Sequence, residues 1–590
     1  MARYLVTSAL PYANGPIHFG HVAGAYLPAD VYVRWLRMAK GRDQVLYVCG
    51  TDEHGVAITL KAEQEGLDYR SYVDRWHEDI KGLFDRFGIS FDIFSGTARC
   101  PQHADASRRF FRVLHERGFI LERTEEQWYA EASGRFLPDR YLEGGCPNCG
   151  HDKARGDECP SCGTWIDARE LVDPVSLIDG SRPVLKATTH WYLDLPKLLE
   201  HGLGAWYAGE DEAHPIKGWK PNVDGYVQAM LADLHERPIT RDLPWGVPLP
   251  EEIEGGEGKV LYVWFDAPIG YLSATMEWAE AKGEPEAWRD WWQDADTRLV
   301  HFIGKDNIAF HVVVFPSMLL GQGDAWEDRG FVLPWSVPAN EFYNLQGRKF
   351  STSSGWYLDN ERFFSRYDAD AARFHVLLSS PETADSEFSW QEFQVSNNAL
   401  LADKLGNLAS RVLKFAAKRF DNRVPAVEAQ AAASLGGHDS LDEADERLDA
   451  VGAHLEAQEF RKACQALIAG AAALNQFFDA MEPWKLVKAE EPADRARCAA
   501  VIERCIAYLE RLSRQLAPFC PAAADRLRAM LGEAAPGAEA AALDWPAGTP
   551  APLDPGLALG EAGVLFRKIE DEEIAEEIAL LEAQAAAAGA

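Results

Sequence analysis

Positive charge is scarce along these 590 residues: 59 lysines and arginines stand against 92 aspartates and glutamates, a formal charge of −33. A deficit of that size excludes loose electrostatic wrapping of nucleic acid, so any polyanion has to be met by local basic patches. Long apolar runs are missing as well. No stretch of about 18 apolar residues occurs, which argues against a membrane-spanning helix. The opening residues lack the basic-then-apolar order of a secretory signal, so a cytoplasmic chain with no membrane partner is expected. No internal repeat is evident, and no Ser-His-Asp arrangement suggests a covalent nucleophile.

What is present is ordinary for a folded chain: 47% hydrophobic and 26% charged residues, enough to bury several cores. The length exceeds what one hydrophobic core usually serves, so two to four domains are expected. Six of the ten cysteines lie among apolar or helical residues. The other four, Cys146, Cys149, Cys159 and Cys162, form two CxxC pairs separated by nine residues. Four thiolates at that spacing close a tetrahedral site with no open position, so one structural Zn2+ is expected.

Ala2 to Ala9 reads as an apolar strand, followed by the turn residues Pro11, Asn14-Gly15 and Pro16 and by helix-compatible residues from His18. A second strand, Gln44 to Cys49, comes about one crossover later, which is the start of a doubly wound parallel sheet. Glycines, turns and the cysteine cluster fill roughly Glu116 to Pro221. Strand-like runs at Lys259 to Phe265 and Thr297 to Ile303 then resume the α/β pattern. Beyond about Asp403 the chain is helical in pattern, ending in an Ala/Glu-rich tail from Ile574 that reads as peripheral or frayed.

His18 and His21 in His18-Phe19-Gly20-His21 stand three apart at a helix start, hence on one face, where ring donors and the amide dipole can meet phosphate together. With its strand and turn this stretch resembles the HIGH motif of class I aminoacyl-tRNA synthetases. Lys349-Phe350-Ser351-Thr352-Ser353 looks like the KMSKS loop of the same class, with Thr352 where the second lysine stands. Four segments, at Leu10-Pro11-Tyr12, Gly50 to Gly55, Tyr262 to Tyr271 and His301 to His311, resemble methionyl-tRNA synthetases in particular.

The resemblance implies a Rossmann-like doubly wound parallel sheet split by a zinc-knuckle insertion and followed by an α-helical anticodon-binding bundle. The implied boundaries are 1–115 and 229–340 for the two catalytic halves, 116–228 for the insertion, and 341–400 for the KFSTS loop and stem-contact region. Residues 401–555 would form the anticodon-binding domain and 556–590 a C-terminal helical tail. The implied activity is methionine–tRNA ligation through a methionyl-adenylate, with L-methionine, ATP with Mg2+, and tRNA(Met), initiator tRNA included, as partners of a monomer.

His18, His21 and Lys349 would be catalytic. Pro11, Tyr12, Gly20, Gly304, Asp306, Ser351, Thr352 and Ser353 would join them in binding ATP. Asp52 would hold the methionine ammonium, with Leu10, Tyr12, Trp264, Ala267, Pro268, Tyr271, Asn307 and His311 around the substrate. A polarizable thioether gains from aromatic walls of this kind. Asn407, Arg411 and Trp484 match anticodon-reading positions, and Lys404, Asn407, Arg411, Lys414 and Lys418 form a basic stripe beside an apolar one. Two rivals remain: a leucine-, isoleucine- or valine-type synthetase, which would need a much larger editing insertion, and a tRNA-binding module without catalysis.

Overall fold

The computed structural model describes residues 2–138, 141–156, 159, 161–162, 166–327, 329–352, 354–533 and 544–589. Two compact units emerge, one of residues 1–17, 47–82 and 91–338, the other of residues 18–46, 83–90 and 339–590. Among the described residues no helix is long and apolar enough to cross a membrane.

The first unit is built on a parallel sheet. Its strands are β1 (Tyr4–Ser8), β2 (Val45–Thr51) and β3 (Ile93–Gly96). The long strands β4 (Ile120–Ala130) and β5 (Val184–Leu193) belong to the insertion, and β6 (Arg298–Gly304) and β7 (Pro334–Ser336) complete the sheet. The order is β7-β6-β1-β2-β3, with β1 parallel to β6, β2 to β3 and β6 to β7. Every residue of β1 and β2 is buried, as expected of strands covered on both faces. Chain order reverses between β1 and β6, and the loops that leave their carboxyl ends carry Leu10-Pro11-Tyr12 and Lys305-Asp306-Asn307. That reversal is where open α/β sheets place their ligands.

The insertion is an antiparallel pairing of β4 with β5, in register from Ile120 opposite Leu193 to Tyr129 opposite Val184. The cysteine knuckle lies between these strands in sequence, on a small antiparallel sheet of Leu142–Gly145, Ala154–Arg155 and Val172–Ser176. The strand expected from Lys259 to Phe265 is shorter than its composition suggested. Only Val260–Leu261 pairs, and a helix runs from Val263 to Ala281. Proline at its sixth residue, Pro268, lies inside the helix, beyond the first four amides that lack intrahelical partners, and removes one hydrogen bond to the carbonyl of Trp264.

The second unit is helical, and a buried ion pair ties its separate segments together. Arg373 donates to Asp30 Oδ2 at 2.7 Å and to the carbonyls of Phe87 (2.9 Å), Phe519 (2.9 Å) and Pro518 (2.8 Å). Asp30 also accepts from Arg34, from the Ser90 amide and from its hydroxyl. Burial pushes the Asp30 carboxyl up, but Arg34 and Arg373 outweigh it and hold it far below the ordinary carboxylate range. Pairs of this kind cost on the order of 3–5 kcal/mol when one partner is lost, because the other is left charged and buried.

The C-terminal tail corrects the sequence expectation. It forms a helix, Asp571–Ala587, with Ile574, Leu581 and Ala585 buried and Glu577 bonded to Arg362 and Arg366 of the Asn360–Arg366 helix. Alanine and glutamate runs conceal such a stripe. Its buried positions recur at helical spacing, but one is alanine and one is glutamate.

Candidate active site

Phe19 explains how the histidine motif is displayed. Its ring is fully buried against the edges of Phe87, Phe363 and Phe388, at centroid distances of 4.9, 4.8 and 5.6 Å, so the residues flanking it are held at a fixed helix start. His18 is the N-cap. Its Nδ1 accepts from the Gly20 amide at 3.1 Å, and the His18 amide donates to His21 Nδ1 at 3.1 Å. The two imidazoles lie 3.9 Å apart, as their spacing implied.

Burial, then the neighbouring His21, lowers His18 to about 2, and desolvation lowers His21 to about 4 although its edge is open to solvent. Both rings are therefore neutral near pH 7. Gly20 has no room for a side chain, since a Cβ would stand 2.9 Å from both the His18 ring and the Tyr343 carbonyl oxygen. A π-helical turn, Val22–Tyr26, follows directly, an irregularity often found at functional helices.

The KFSTS loop belongs to the same unit. Phe350 stacks on His18 with centroids 4.4 Å apart and planes 9° from parallel, a contact between the two motifs that neither pattern reveals by itself. Ser351 and Trp356 pair through two backbone hydrogen bonds of 2.9 Å, closing the loop into a hairpin. Lys349 is exposed, with Nζ 5.6 Å from the Phe342 ring centroid. Thr352 is exposed too, and Arg348 lies over Trp356. Ser353 lies outside the described residues.

The residues expected to bind the amino acid lie in the first unit. The loop after β1 pairs with the loop after β2: the Asp52 amide donates to the Pro11 carbonyl (2.9 Å) and the Ala13 amide to the Asp52 carbonyl (2.8 Å). Gly55, at φ +106°, lets the Tyr12 hydroxyl pass where a Cβ would be only 2.5 Å away. Burial, then the charge of Asp266, pushes the Asp52 carboxyl well above its ordinary range. Trp264, Ala267, Pro268 and Tyr271 sit on the Val263–Ala281 helix at i, i+3, i+4 and i+7, hence on one face. That spacing was available in the sequence and identifies the face without any strand. Leu10 approaches the same helix closely, 3.0 Å from where a Cβ on Gly270 would stand.

Tyr271 is buried and bonds His311 Nε2 at 2.8 Å, while His311 Nδ1 lies 3.0 Å from the Asn307 carbonyl. A carbonyl only accepts, so Nδ1 carries the proton and Nε2 accepts from the tyrosine hydroxyl. Burial holds His311 neutral, at about 4. Trp264 is 41% exposed and stacks on Phe310 at 3.8 Å. Trp264, Phe310 and Asp306 open on a cleft of about 550 Å³ that extends to Arg169 and Tyr226 of the insertion, a size suited to a small ligand. Asp306 is exposed, beside Gly304, where a Cβ would meet its Oδ1 at 2.7 Å.

The four knuckle sulfurs all lie within 4.8 Å of one another, with Cys146 and Cys162 3.8 Å apart and Cys149 and Cys159 3.7 Å. Disulfide bonds are far shorter. Four sulfurs about 2.3 Å from one ion stand roughly 3.8 Å apart in a tetrahedron, so the donor set fits a metal. In the helical unit, the Asn407–Arg419 helix buries Leu408 and Val412 and exposes Asn407, Lys414 and Lys418. Leu401 and Leu405 are buried in the π-helical segment Ser396–Gly406 before it, while Phe415 is half-buried. Arg411 is ion-paired with Asp479 and lies 4.8 Å from the Phe478 ring and 6.0 Å from Trp484. Trp484 is 37% exposed.

One cluster escaped the sequence altogether. His54, His103 and Asp266 converge from a loop and two helices, all three buried: His54 Nδ1 lies 2.6 Å and His103 Nε2 3.5 Å from Asp266 Oδ2. Ligands of one zinc ion stand roughly 3.3 Å apart, so the 2.6 Å contact is a hydrogen bond rather than two donors sharing an ion. Separations of 49 and 163 residues leave no local pattern to find.

A doubly wound sheet with its ligand loops at the reversal point, a paired-histidine helix start and a cationic hairpin stacked on it together define a class I aminoacyl-tRNA synthetase. Residues 4–413 match the family described as tRNA synthetases class I (M), and residues 427–583 match the anticodon binding domain of methionyl tRNA ligase. The methionine–tRNA ligase of Rubrobacter xylanophilus is 44% identical over 97% of this chain and 96% of its own, and that of Parabacteroides distasonis is 43% identical over 98% and 80%. The solved Mycobacterium tuberculosis methionyl-tRNA synthetase in complex with methionyl-adenylate superposes with a TM-score of 0.73 at 26% identity, covering 96% of this chain and all of that one. The chain belongs to the methionyl-tRNA synthetase family.

Proposed function

We infer that the chain joins L-methionine to ATP as methionyl-adenylate and then passes the methionyl group to the 3′ end of tRNA(Met), initiator tRNA included. One observation supports the choice of amino acid: Tyr271, on the helix face that bears Trp264, bonds His311, which the Asn307 carbonyl orients, in the same unit as the Asp52 carboxylate. Asp52 holds the ammonium, the aromatic face takes the thioether, and the methionine carboxylate is left to attack the α-phosphorus. The Pα–O bond to pyrophosphate breaks as the new one forms, so no protein nucleophile is needed, only positioning and charge.

His18 and His21, neutral beforehand, offer ring donors to the phosphates, and Lys349 meets the negative charge that builds on the departing pyrophosphate. Mg2+ bound with ATP supplies further charge neutralisation. Pro11, Tyr12, Gly20, Gly304, Asp306, Ser351, Thr352 and Ser353 complete the nucleotide site in this reading, and Leu10, Ala267 and Pro268 the amino-acid site. It divides the chain into catalytic halves at 1–115 and 229–340 around the insertion 116–228, followed by 341–400, an anticodon-binding part at 401–555 and the tail at 556–590. It also makes the chain a cytoplasmic monomer.

Zinc is the knuckle's ion in this reading, because four thiolates with no open position suit a structural Zn2+. Metal analysis of the purified chain is expected to find one zinc per molecule, lost with Cys146→Ser; a zinc-free folded chain would refute it.

Asn407, Arg411 and Trp484 read the anticodon, with the half-open Trp484 ring as a stacking platform for an unstacked base. Charging of tRNA(Met) with labelled methionine tests both halves of the reading. Trp484→Ala is expected to cut kcat/KM for tRNA roughly 10- to 100-fold, since one base stack is worth about 1–3 kcal/mol, while methionine-dependent pyrophosphate exchange stays unchanged. Equal charging by the variant would remove the anticodon role.

A further inference from the structure

Asp266 is fully buried, and its two oxygens are used unequally. Oδ2 takes both imidazoles, whereas Oδ1 has no hydrogen-bond partner among the described residues. A buried carboxylate with a spare oxygen is costly in low dielectric, so its presence calls for a use beyond packing. His54 links it to the ammonium site: the His54 ring bonds Asp266, and the His54 backbone amide donates to Asp52 Oδ1 at 3.4 Å. His103 steadies the arrangement from the other side, its Nδ1 3.0 Å from the Ser273 hydroxyl.

Resting on the methionine-activating reading above, we propose that Asp266 is a positioning residue of the amino-acid site, which fixes His54 and through it Asp52, and sets a two-carboxylate field that favours substrates bearing an α-ammonium. The titratable groups that interact with it are His54, His103, Asp52 and Tyr12; behind them, Glu53 acts on His103 and Asp52, and Tyr262 on Tyr12. Burial raises Asp266, but the two imidazoles outweigh it and hold it below the ordinary range, so it is charged when Asp52 titrates. Its charge is the second cause, after burial, of the raised Asp52 carboxyl, and it also raises Tyr12. An arriving ammonium relieves both carboxylates, which makes binding selective for the charged amine.

The test is Asp266→Asn in methionine-dependent ATP–pyrophosphate exchange across pH. KM for methionine is expected to rise at least about 10-fold, with KM for ATP within about twofold. The acid limb of kcat/KM for methionine is expected to move to lower pH, because a like charge beside Asp52 has gone. A merely structural role would not move that limb. Should the variant fail to melt cooperatively, His103→Gln, which removes one of the two imidazoles, carries the test with an expected rise of at least about threefold in KM for methionine alone. Unchanged KM and an unmoved limb overturn the positioning role. Absence of exchange by the unsubstituted chain would instead overturn the reading on which it rests.

Discussion

Lys349→Ala is expected to lower the rate of methionyl-adenylate formation roughly 10²–10³-fold, the usual cost of removing one charge-stabilising group from a transition state, while KM for methionine stays nearly constant. The size follows from how little cationic charge the loop carries. Thr352 stands where a second lysine would, and it offers a hydroxyl in place of a charge. Arg348 lies over Trp356, at 4.4 Å from the ring centroid. Lys349 is exposed, on the hairpin whose Phe350 stacks on His18, so the loss should fall on kcat. Single-turnover adenylation separates the two constants. A rate within about threefold of the unsubstituted chain would move the pyrophosphate role elsewhere. Restoring the second lysine with Thr352→Lys is a useful companion, since a faster reaction would show that charge limits the loop.

Asp52→Asn carries the other large effect. An ammonium held by a desolvated carboxylate loses about 3–4 kcal/mol when the charge is removed, so kcat/KM for methionine should drop roughly 10²–10³-fold with KM for ATP unaffected. The pH dependence has a definite sign. The Asp52 carboxyl is raised by burial and by Asp266, and in the proposed site only its ionised form would hold the ammonium. Methionine use therefore falls away as pH drops through a value above the ordinary carboxylate range, and the Asn variant should lose that limb. An acid limb at an ordinary carboxylate pH in the unsubstituted chain would contradict the burial-driven shift.

The parts legible in the sequence are those whose chemistry is local. The two CxxC pairs report through spacing alone a four-sulfur cluster able to hold a metal ion, and the paired histidines report a helix start because capping needs residues three apart. Strands β1, β2 and β6 were visible as apolar runs of fitting length. The Val263–Ala281 helix was obscured because Tyr262-Val263-Trp264-Phe265 has the composition of a strand, and tertiary context decided otherwise. The docked tail was obscured because its buried stripe is partly alanine. Phe350 on His18, and His54 and His103 on Asp266, join residues 163 to 332 positions apart, and no periodicity in one chain encodes such meetings.

The most direct measurement is amino-acid-dependent ATP–pyrophosphate exchange, with methionine, leucine, isoleucine, valine and cysteine supplied separately to the purified chain and Mg2+ present. Exchange isolates activation from tRNA recognition. The result expected is exchange with methionine well above that with any of the others, which would tie the reaction to the Asp52 and Tyr271 site and show the KFSTS hairpin competent. Preference for leucine, isoleucine or valine would contradict the pocket, and exchange with none of the five would contradict the account as a whole.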